Sequence, residues 1–319
     1  MTILITGGTG HLGSFLARHL LEITDERLIL FDYIINQKRI RDIEKHPKIQ
    51  IIQGDISCWS EVIPLFQSQS LIKTIYHFGS LMPPFTENKS QTAFRINIQG
   101  TFNILECAHL FGVSSVFYSS SAAIYSPGVD LPINEKTYRE PLTMYGVGKV
   151  CSEVMGGYYH RRKNIAFLTL RFPAIIGPGR TGTGMTMYAN NIIQYPAQGL
   201  PAVCNVEPDI TIPILYVKDA VKLLGSLLER ETISESAYNL DGYWISALNL
   251  AELVQNEIPD TIVKYEPDLE LSYLLRFLSM MKGDGKLARK DLEFTPNYPP
   301  KEFVKDFIAE IRRNPHYQI

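Results

Sequence analysis

The sequence predicts an α/β protein, a doubly wound parallel sheet with a smaller C-terminal lobe. Three observations carry that prediction. The first half alternates short, continuously apolar runs with helical patterns, as parallel strands covered by helices on both faces require. A glycine-rich turn joins the first apolar run to the first helical pattern. After Phe172 the texture changes, and Pro and Gly punctuate the chain to about residue 213.

Residues 2–6 read as the first strand, 7–13 as the turn, and 14–22 as a helix with Phe15, Leu16, His19 and Leu20 on one face. Strands two to six follow at 27–32, 48–53, 74–78, 115–120 and 165–172. Long helices are expected at 92–111, ended by Gly112, and at 143–163. Residues 177–184 form a glycine-rich loop. A helical pattern returns at 216–230, with further helices at 247–257 and 300–313. We place the domain boundary at 172. Residues 1–172 form the first domain and 173–319 a lobe over the sheet's carboxyl edge, with about 211–240 rejoining the first. There is no internal repeat.

Composition narrows the function classes. The chain carries 31 Lys plus Arg against 33 Asp plus Glu, a net charge of -2. A nucleic-acid binder would instead carry a basic stripe. At 45% hydrophobic and 20% charged, the 319 residues are those of a soluble protein with a sizeable core, not a disordered chain. No apolar run approaches the ~20 residues that span a bilayer. No cationic stretch precedes the apolar start Thr2-Ile3-Leu4-Ile5, so no signal peptide is expected. Cys58, Cys107, Cys151 and Cys204 form no CxxC and no Cys/His cluster with metal spacing. The expectation is four reduced thiols, a cytoplasmic location and no metal site.

The turn Gly7-Gly8-Thr9-Gly10-His11-Leu12-Gly13 contains GxGxxG at Gly8, Gly10 and Gly13, and GxxGxxG at Gly7, Gly10 and Gly13. Between a strand and a helix, this spacing permits a tight turn, close backbone approach to a pyrophosphate, and a helix N-terminus facing its charge. It points to a Rossmann-like dinucleotide site in which Gly7, Gly10, His11, Leu12 and Gly13 meet the cofactor. Asp32, 19 residues after Gly13, ends the second strand. A carboxylate there accepts the adenosine 2′-hydroxyl and repels a 2′-phosphate, favouring NAD. Lys38 and Arg39 keep NADP open.

Tyr145 and Lys149 form a YxxxK, as do Tyr159 and Lys163 on the same expected helix, ~21 Å away. Position selects the first pair, which lies at the end of the helix nearest the sheet's carboxyl edge, where ligands bind in such folds. Tyr159 and Lys163 read as structural. A tyrosine's ordinary pKa of ~10 is too high for a base at neutral pH. Lys149, one turn on and on the same face, supplies the charge that favours tyrosinate. Tyr145 could then take a proton from a substrate hydroxyl, Ser121 could hydrogen-bond the substrate oxygen, and Lys149 could hold the nicotinamide ribose. Ser119 is read as a strand-end residue beside the cofactor.

These segments follow one another as in the extended short-chain dehydrogenases/reductases, the NAD-dependent epimerase/dehydratase superfamily. The resemblance rests on residues 7–13, Asp32, Gly54-Asp55, Tyr76-His77-Phe78-Gly79, Asn97 to Thr101, Ser119 to Ser121, and Tyr145 to Lys149. It implies that Asp55 and Ile56 flank the adenine, that Gly79, Ser80 and Asn97 line the cofactor, and that Pro173 lies near the nicotinamide.

Three departures narrow the choice within the family. Ala122 and Ala123 stand where dehydratases of the family carry an acidic pair, so water elimination is not expected. Ile212 stands where nucleotide-sugar epimerases place an arginine, seven residues before the Asp of Val217-Lys218-Asp219, and Ala174 replaces their asparagine. The second half instead resembles short-chain L-threonine 3-dehydrogenases, at residues 182–189, 212–220, 238–240 and Tyr265-Glu266-Pro267-Asp268. Where those enzymes have GGGTTDYA, this chain has Gly182-Thr183-Gly184-Met185-Thr186-Met187-Tyr188-Ala189, so an acid becomes Met187. Pro83-Pro84-Phe85 replaces small polar residues.

The resemblance therefore implies an NAD-dependent oxidoreductase acting on a secondary hydroxyl of a small threonine-like amino alcohol or hydroxy acid. Its substrate side would comprise Pro83, Phe85, Ser121, Tyr145, Gly184, Met185, Thr186 and Met187. The competing readings are a nucleotide-sugar 4-epimerase that retains its NAD, and a non-catalytic NAD-binding regulator, against which the intact Ser121, Tyr145 and Lys149 argue. Relatives pair their two long helices across a two-fold axis, which implies a homodimer. No nucleic-acid or membrane partner is expected.

Overall fold

The computed structural model describes residues 2–68, 71–126, 128–182, 184–230, 236–280 and 282–318. The chain divides into two compact units. The first comprises Met1–Ser126, Tyr138–Arg171 and Val221–Asn239, and the second Pro127–Thr137, Phe172–Ala220 and Leu240–Ile319.

The first unit is built on a seven-stranded parallel sheet. Its strands are β1 (Thr2–Thr6), β2 (Arg27–Asp32), β3 (Ile49–Gln53), β4 (Ile72–His77), β5 (Ser115–Ser121) and β6 (Ala166–Phe172). The seventh comes later in the chain. Among the segments between, β7 (Ala174–Ile176), β8 (Ala202–Cys204) and β9 (Thr211–Tyr216) belong to smaller sheets, and β10 (Ala237–Asn239) adds the edge strand beside β6. The order is β10-β6-β5-β4-β1-β2-β3, which reverses direction between β4 and β1. Every residue of β1 is buried, as a central parallel strand requires. Leu4, Ile29, Phe31, Ile75 and Val116 from the strands pack with Val62, Leu65, Ile104 and Leu105 from the helices. Burying each such aliphatic side chain contributes roughly 1.5–3 kcal/mol.

Two helices differ from the sequence expectation. The first spans His11–Ile23, three residues earlier than its apolar pattern, and takes Gly13 into its first turn. A Cβ at Gly13 would stand 2.3 Å from the Gly7 carbonyl oxygen, so tertiary approach overrides glycine's poor helix propensity. The helix expected at 92–111 is interrupted. A turn at Ser90–Ala93 passes into a π-helical segment, Phe94–Gln99, before regular helix resumes at Gly100–Leu110. Gly112, at φ +67, ends it in the left-handed conformation.

The second unit carries two small sheets. In one, β9 pairs in parallel with β7 and antiparallel with β11 (Tyr243–Ser246). In the other, β8 pairs with β12 (Val263–Tyr265). The helix Pro300–Arg313 begins at a proline and buries Phe303, Val304, Phe307, Ile308 and Ile311.

Candidate active site

The reversal of strand order between β1 and β4 opens a crevice at their carboxyl ends, the place such sheets use for ligands. Gly7, at φ +66, lies against the backbone of the turn after β4, where a Cβ on it would stand 3.0 Å from Gly79 N. Thr6 Oγ1 fastens that turn, accepting from Phe78 N–H and Gly79 N–H at 3.2 Å each. Ser80 Oγ donates to Phe78 O at 3.4 Å. The helix His11–Ile23 has Gly10 as its N-cap, with no side chain closing its first turn. Asp32 uses one oxygen on Thr9, whose N–H and Oγ1 donate to Oδ2 at 3.0 and 2.8 Å. Asp32 Oδ1 accepts from no protein group among the described residues. An uncapped helix start beside a glycine turn, with an open carboxylate oxygen on the next strand, fits a dinucleotide with unphosphorylated ribose. Arg39 also reaches this corner, its Nη1 donating to Thr9 O at 3.2 Å.

The other expected cofactor residues have protein partners of their own. Asp55 Oδ1 accepts from Ser57 N–H and Oγ–H at 2.8 and 2.6 Å, making a local turn. Ile56 is buried, 3.2 Å from where a Gly79 Cβ would lie. Asn97, in the π-helical segment, accepts Leu81 N–H at 2.7 Å and donates to Leu81 O at 3.0 Å. It clasps the chain just after Ser80.

Ser121, Tyr145 and Lys149 all fall in the first unit. Ser121 ends β5 and caps the turn Ala122–Ile124, its Oγ accepting Ala123 N–H at 3.2 Å. The helix Met144–Lys163 starts against that turn. A Cβ on Gly146 would stand 2.3 Å from Ala123 O, so glycine there lets the helix approach the serine's turn. Lys149 is buried, and its Nζ donates to Ser119 O at 2.6 Å. The same nitrogen lies 4.8 Å from the Tyr118 ring centroid and 5.4 Å from that of Tyr145. Burial pushes the Lys149 ammonium down to about 7, with Glu153 opposing the fall.

Behind this face is a buried polar layer that the sequence pattern did not single out. Glu153, one turn beyond Lys149, accepts from Arg171 Nε and Nη2, from Arg139 Nη1 and from Ser120 Oγ. Burial opposes its charge, yet the bonds and charge of Arg171 hold its carboxyl below the ordinary range. His77 links Thr6 Oγ1 at 2.6 Å to Thr101 Oγ1 at 3.0 Å. Burial, with the Lys149 charge beside it, pushes its imidazole down to about 3. The continuing i+4 spacing from Tyr145 through Lys149 to Glu153 was the available signal for Glu153. Tyr159, by contrast, is buried and donates to Glu106 Oε2 at 2.5 Å, in keeping with its structural reading.

Pro173 and the expected substrate residues 184–187 lie in the second unit, and Thr183 falls outside the described residues. Pro173 is half-buried between β6 and β7. Met187 opens the helix Met187–Ala197 and is buried, 3.6 Å from where a Gly184 Cβ would stand. Met185 and Thr186 are half-buried. Arg180 braces this segment, donating to Ile175 O at 2.6 Å and to Thr186 Oγ1 at 3.4 Å. In the first unit, Pro83 is buried, whereas Phe85 is 44% exposed and is therefore not core.

The NAD dependent epimerase/dehydratase family model matches residues 3–241. The chain belongs to that family. It is an NAD-dependent enzyme, and its cofactor is NAD. Over 314 residues the chain is 27% identical to the mitochondrial L-threonine 3-dehydrogenase of Bos taurus, covering 96% of this chain and 81% of that one. It is 27% identical over 270 residues to a D-erythronate dehydrogenase of Cupriavidus necator, covering 80% and 81%. Among solved structures it is similar to a GalE-like L-threonine dehydrogenase from Cupriavidus necator in its holo form. That match has a TM-score of 0.87 and 26% identity, over 98% of this chain and 100% of that one. Among the described residues no helix is long and apolar enough to cross a membrane, and no group of three or more His, Cys, Asp or Glu could hold a metal ion.

Proposed function

We propose that the chain is a dehydrogenase that oxidises the secondary hydroxyl of a small amino alcohol or hydroxy acid, using Ser121, Tyr145 and Lys149. The observation that carries this is Lys149, buried and held by Ser119 O with its ammonium over the Tyr145 ring, beside a Ser121 whose turn offers Ala122 and Ala123 in place of an acid–base pair.

When bound, NAD supplies the hydride acceptor. Ser121 Oγ accepts the Ala123 N–H, and its own O–H would donate to a substrate oxygen. Tyr145 receives the hydroxyl proton as the carbonyl forms. Lys149 stabilises the phenolate, and its burial strengthens that interaction. Gly7, Gly10, His11, Leu12 and Gly13 would meet the pyrophosphate and Asp32 Oδ1 the adenosine ribose, with Asp55, Ile56, Gly79, Ser80, Asn97, Ser119 and Pro173 around the rest.

The substrate class follows from the second unit and from the relatives named above, which are a threonine and an erythronate dehydrogenase by name. Arg180 beside Gly184 and Thr186 offers a positive charge suited to a substrate carboxylate. Ile212, at the epimerase arginine position, is buried in β9 opposite Ile245 and offers a diphosphate nothing. NADH absorbance with L-threonine and a panel of hydroxy acids and amino alcohols tests the reading. Turnover with any of these supports it. Silence across the panel, with UDP-sugars interconverted instead, replaces it with a 4-epimerase.

The same reading includes a homodimer in a reducing compartment such as the cytoplasm. Phe94, Phe102, Val154 and Tyr158 are about half exposed on two packed helices, and the four cysteines are free thiols. Sedimentation at a monomer mass would remove the dimer.

A further inference from the structure

The first N–H groups of the helix Met144–Lys163 lack partners within the helix, as at every helix start. That of Gly146 is satisfied locally, by Thr143 Oγ1 at 3.0 Å. Those of Met144 and Tyr145 are met from far away in sequence. Glu87 Oε2 accepts Met144 N–H at 2.9 Å, and Glu87 Oε1 accepts the N–H of Tyr145 itself at 3.4 Å. Oε1 also accepts Thr86 Oγ–H at 2.8 Å, which fixes the carboxylate. A negative charge at a helix N-terminus is favourable, and here it caps the turn that presents Tyr145.

Glu87 belongs to a short segment fastened at its other end as well. Asn97 holds both the N–H and the C=O of Leu81. Asn97 O accepts Ser152 Oγ–H at 3.1 Å, and a Cβ on Gly148 would stand 3.0 Å from the Asn97 Cβ. Residues 81–87 therefore form a strap joined to one helix at Tyr145 and, through Asn97, at Gly148 and Ser152, the stretch that holds Lys149. The strap carries the buried Pro83 and the exposed Phe85.

We propose that Glu87 is a positioning residue for Tyr145, and that through it the strap sets the distance from the phenol to the substrate hydroxyl. The proposal rests on the reading of Tyr145 as the proton acceptor. Without Glu87, the Met144 and Tyr145 N–H groups lose their acceptor while Thr143 still caps Gly146. The helix then persists, but its first turn no longer fixes the ring. Displacements near 1 Å at a reacting group lower rates by up to about 100-fold.

The test compares Glu87→Gln, Glu87→Ala, Thr143→Ala and Tyr145→Phe in the full chain with NAD and the secondary alcohol that turns over fastest, unlabelled and deuterated at the carbinol carbon. Glu87→Ala is expected to lower kcat about tenfold, leave KM for NAD unchanged and raise the deuterium isotope effect, as hydride transfer becomes slower than the other steps. Glu87→Gln, which keeps one acceptor oxygen, is expected to fall between Glu87→Ala and the native protein. Thr143→Ala removes a cap without touching the Tyr145 N–H and is expected to keep the native isotope effect. The proposal is overturned if Glu87→Ala loses activity only in proportion to its folded fraction with the isotope effect unchanged, or if Thr143→Ala reproduces it. Activity retained in Tyr145→Phe removes the reading of Tyr145. An inactive Tyr145→Phe beside a fully active Glu87→Ala removes only the role of Glu87.

Discussion

The two units treat buried charge differently: among the described residues the second buries the carboxylate of Asp219 on the backbone N–H groups of Asn297 and Tyr298, whereas the first clusters charges of both signs. In the first, Lys149, Glu153 and Arg171 are nearly inaccessible, and Glu153 and Arg171 are held by paired bonds. The second braces its glycine loop with neutral amides. Asn190 Oδ1 accepts Gly177 N–H at 3.1 Å, and Gln194 Oε1 accepts Gly179 N–H at 3.0 Å while its Nε2 donates to Tyr317 O at 2.8 Å. A desolvated ammonium costs folding energy and sharpens electrostatics at a reacting group. A bonded amide costs little and holds shape. Under the proposed function the buried charges of the first unit serve proton transfer, and a side chain such as Met187 in the second can change without disturbing them.

The largest expected effect breaks or upholds that assignment directly. Tyr145→Phe and Lys149→Met should each lower kcat by roughly 10²–10⁴, with NAD affinity by calorimetry within threefold of the native value. Lys149→Met should also melt no lower than the native protein, because it removes a buried ammonium. A large loss of melting temperature would show that the lysine is there for folding.

The pH dependence of stability comes next. The Lys149 ammonium falls from 10.5 to about 7 in the folded chain. Between those values the unfolded chain holds a proton that the folded chain has released, so stability rises with pH across that window. Urea midpoints of the native protein, relative to Lys149→Met, should climb from pH 7 toward 10. A flat difference would place the lysine in water.

Asp32→Ala should lower the preference for NAD over NADP by about 10–100-fold, the effect of losing a charged hydrogen bond with Arg39 already at Thr9. An unchanged ratio of kcat/KM values would show that the ribose is read elsewhere. The smallest effect sharpens the second half of the comparison. Met187→Ala should reorder substrates by about tenfold while KM for NAD stays constant, and the cavity should cost roughly 2–5 kcal/mol of stability. A changed KM for NAD would mean that Met187 serves the cofactor.

Several features are legible in the residue order because they are local. β1 shows as an apolar run, the glycine turn as a spacing, and Tyr145 with Lys149 as an i+4 pair. Each depends on neighbours a few residues away, and the strand that precedes or the helix that follows supports it. Other features left no local trace. The π-helical segment at Phe94–Gln99 interrupts an unbroken helical pattern. The role of Glu87 depends on backbone groups 57 and 58 residues later.

The sequence by itself determined the family, the cofactor and the kind of chemistry. The cofactor and the chemistry follow from residue types at short spacings, and the family from the resemblance of the motifs taken together; a short spacing survives in any fold that keeps its strand and helix. Only the tertiary structure decided that Asn97 clasps Leu81, that Glu153 holds Arg171 beneath Lys149, and that Glu87 caps the helix of Tyr145. Each of these is a hydrogen bond between distant parts of the chain. A polar side chain meets such a partner only after packing has brought the two distant segments together.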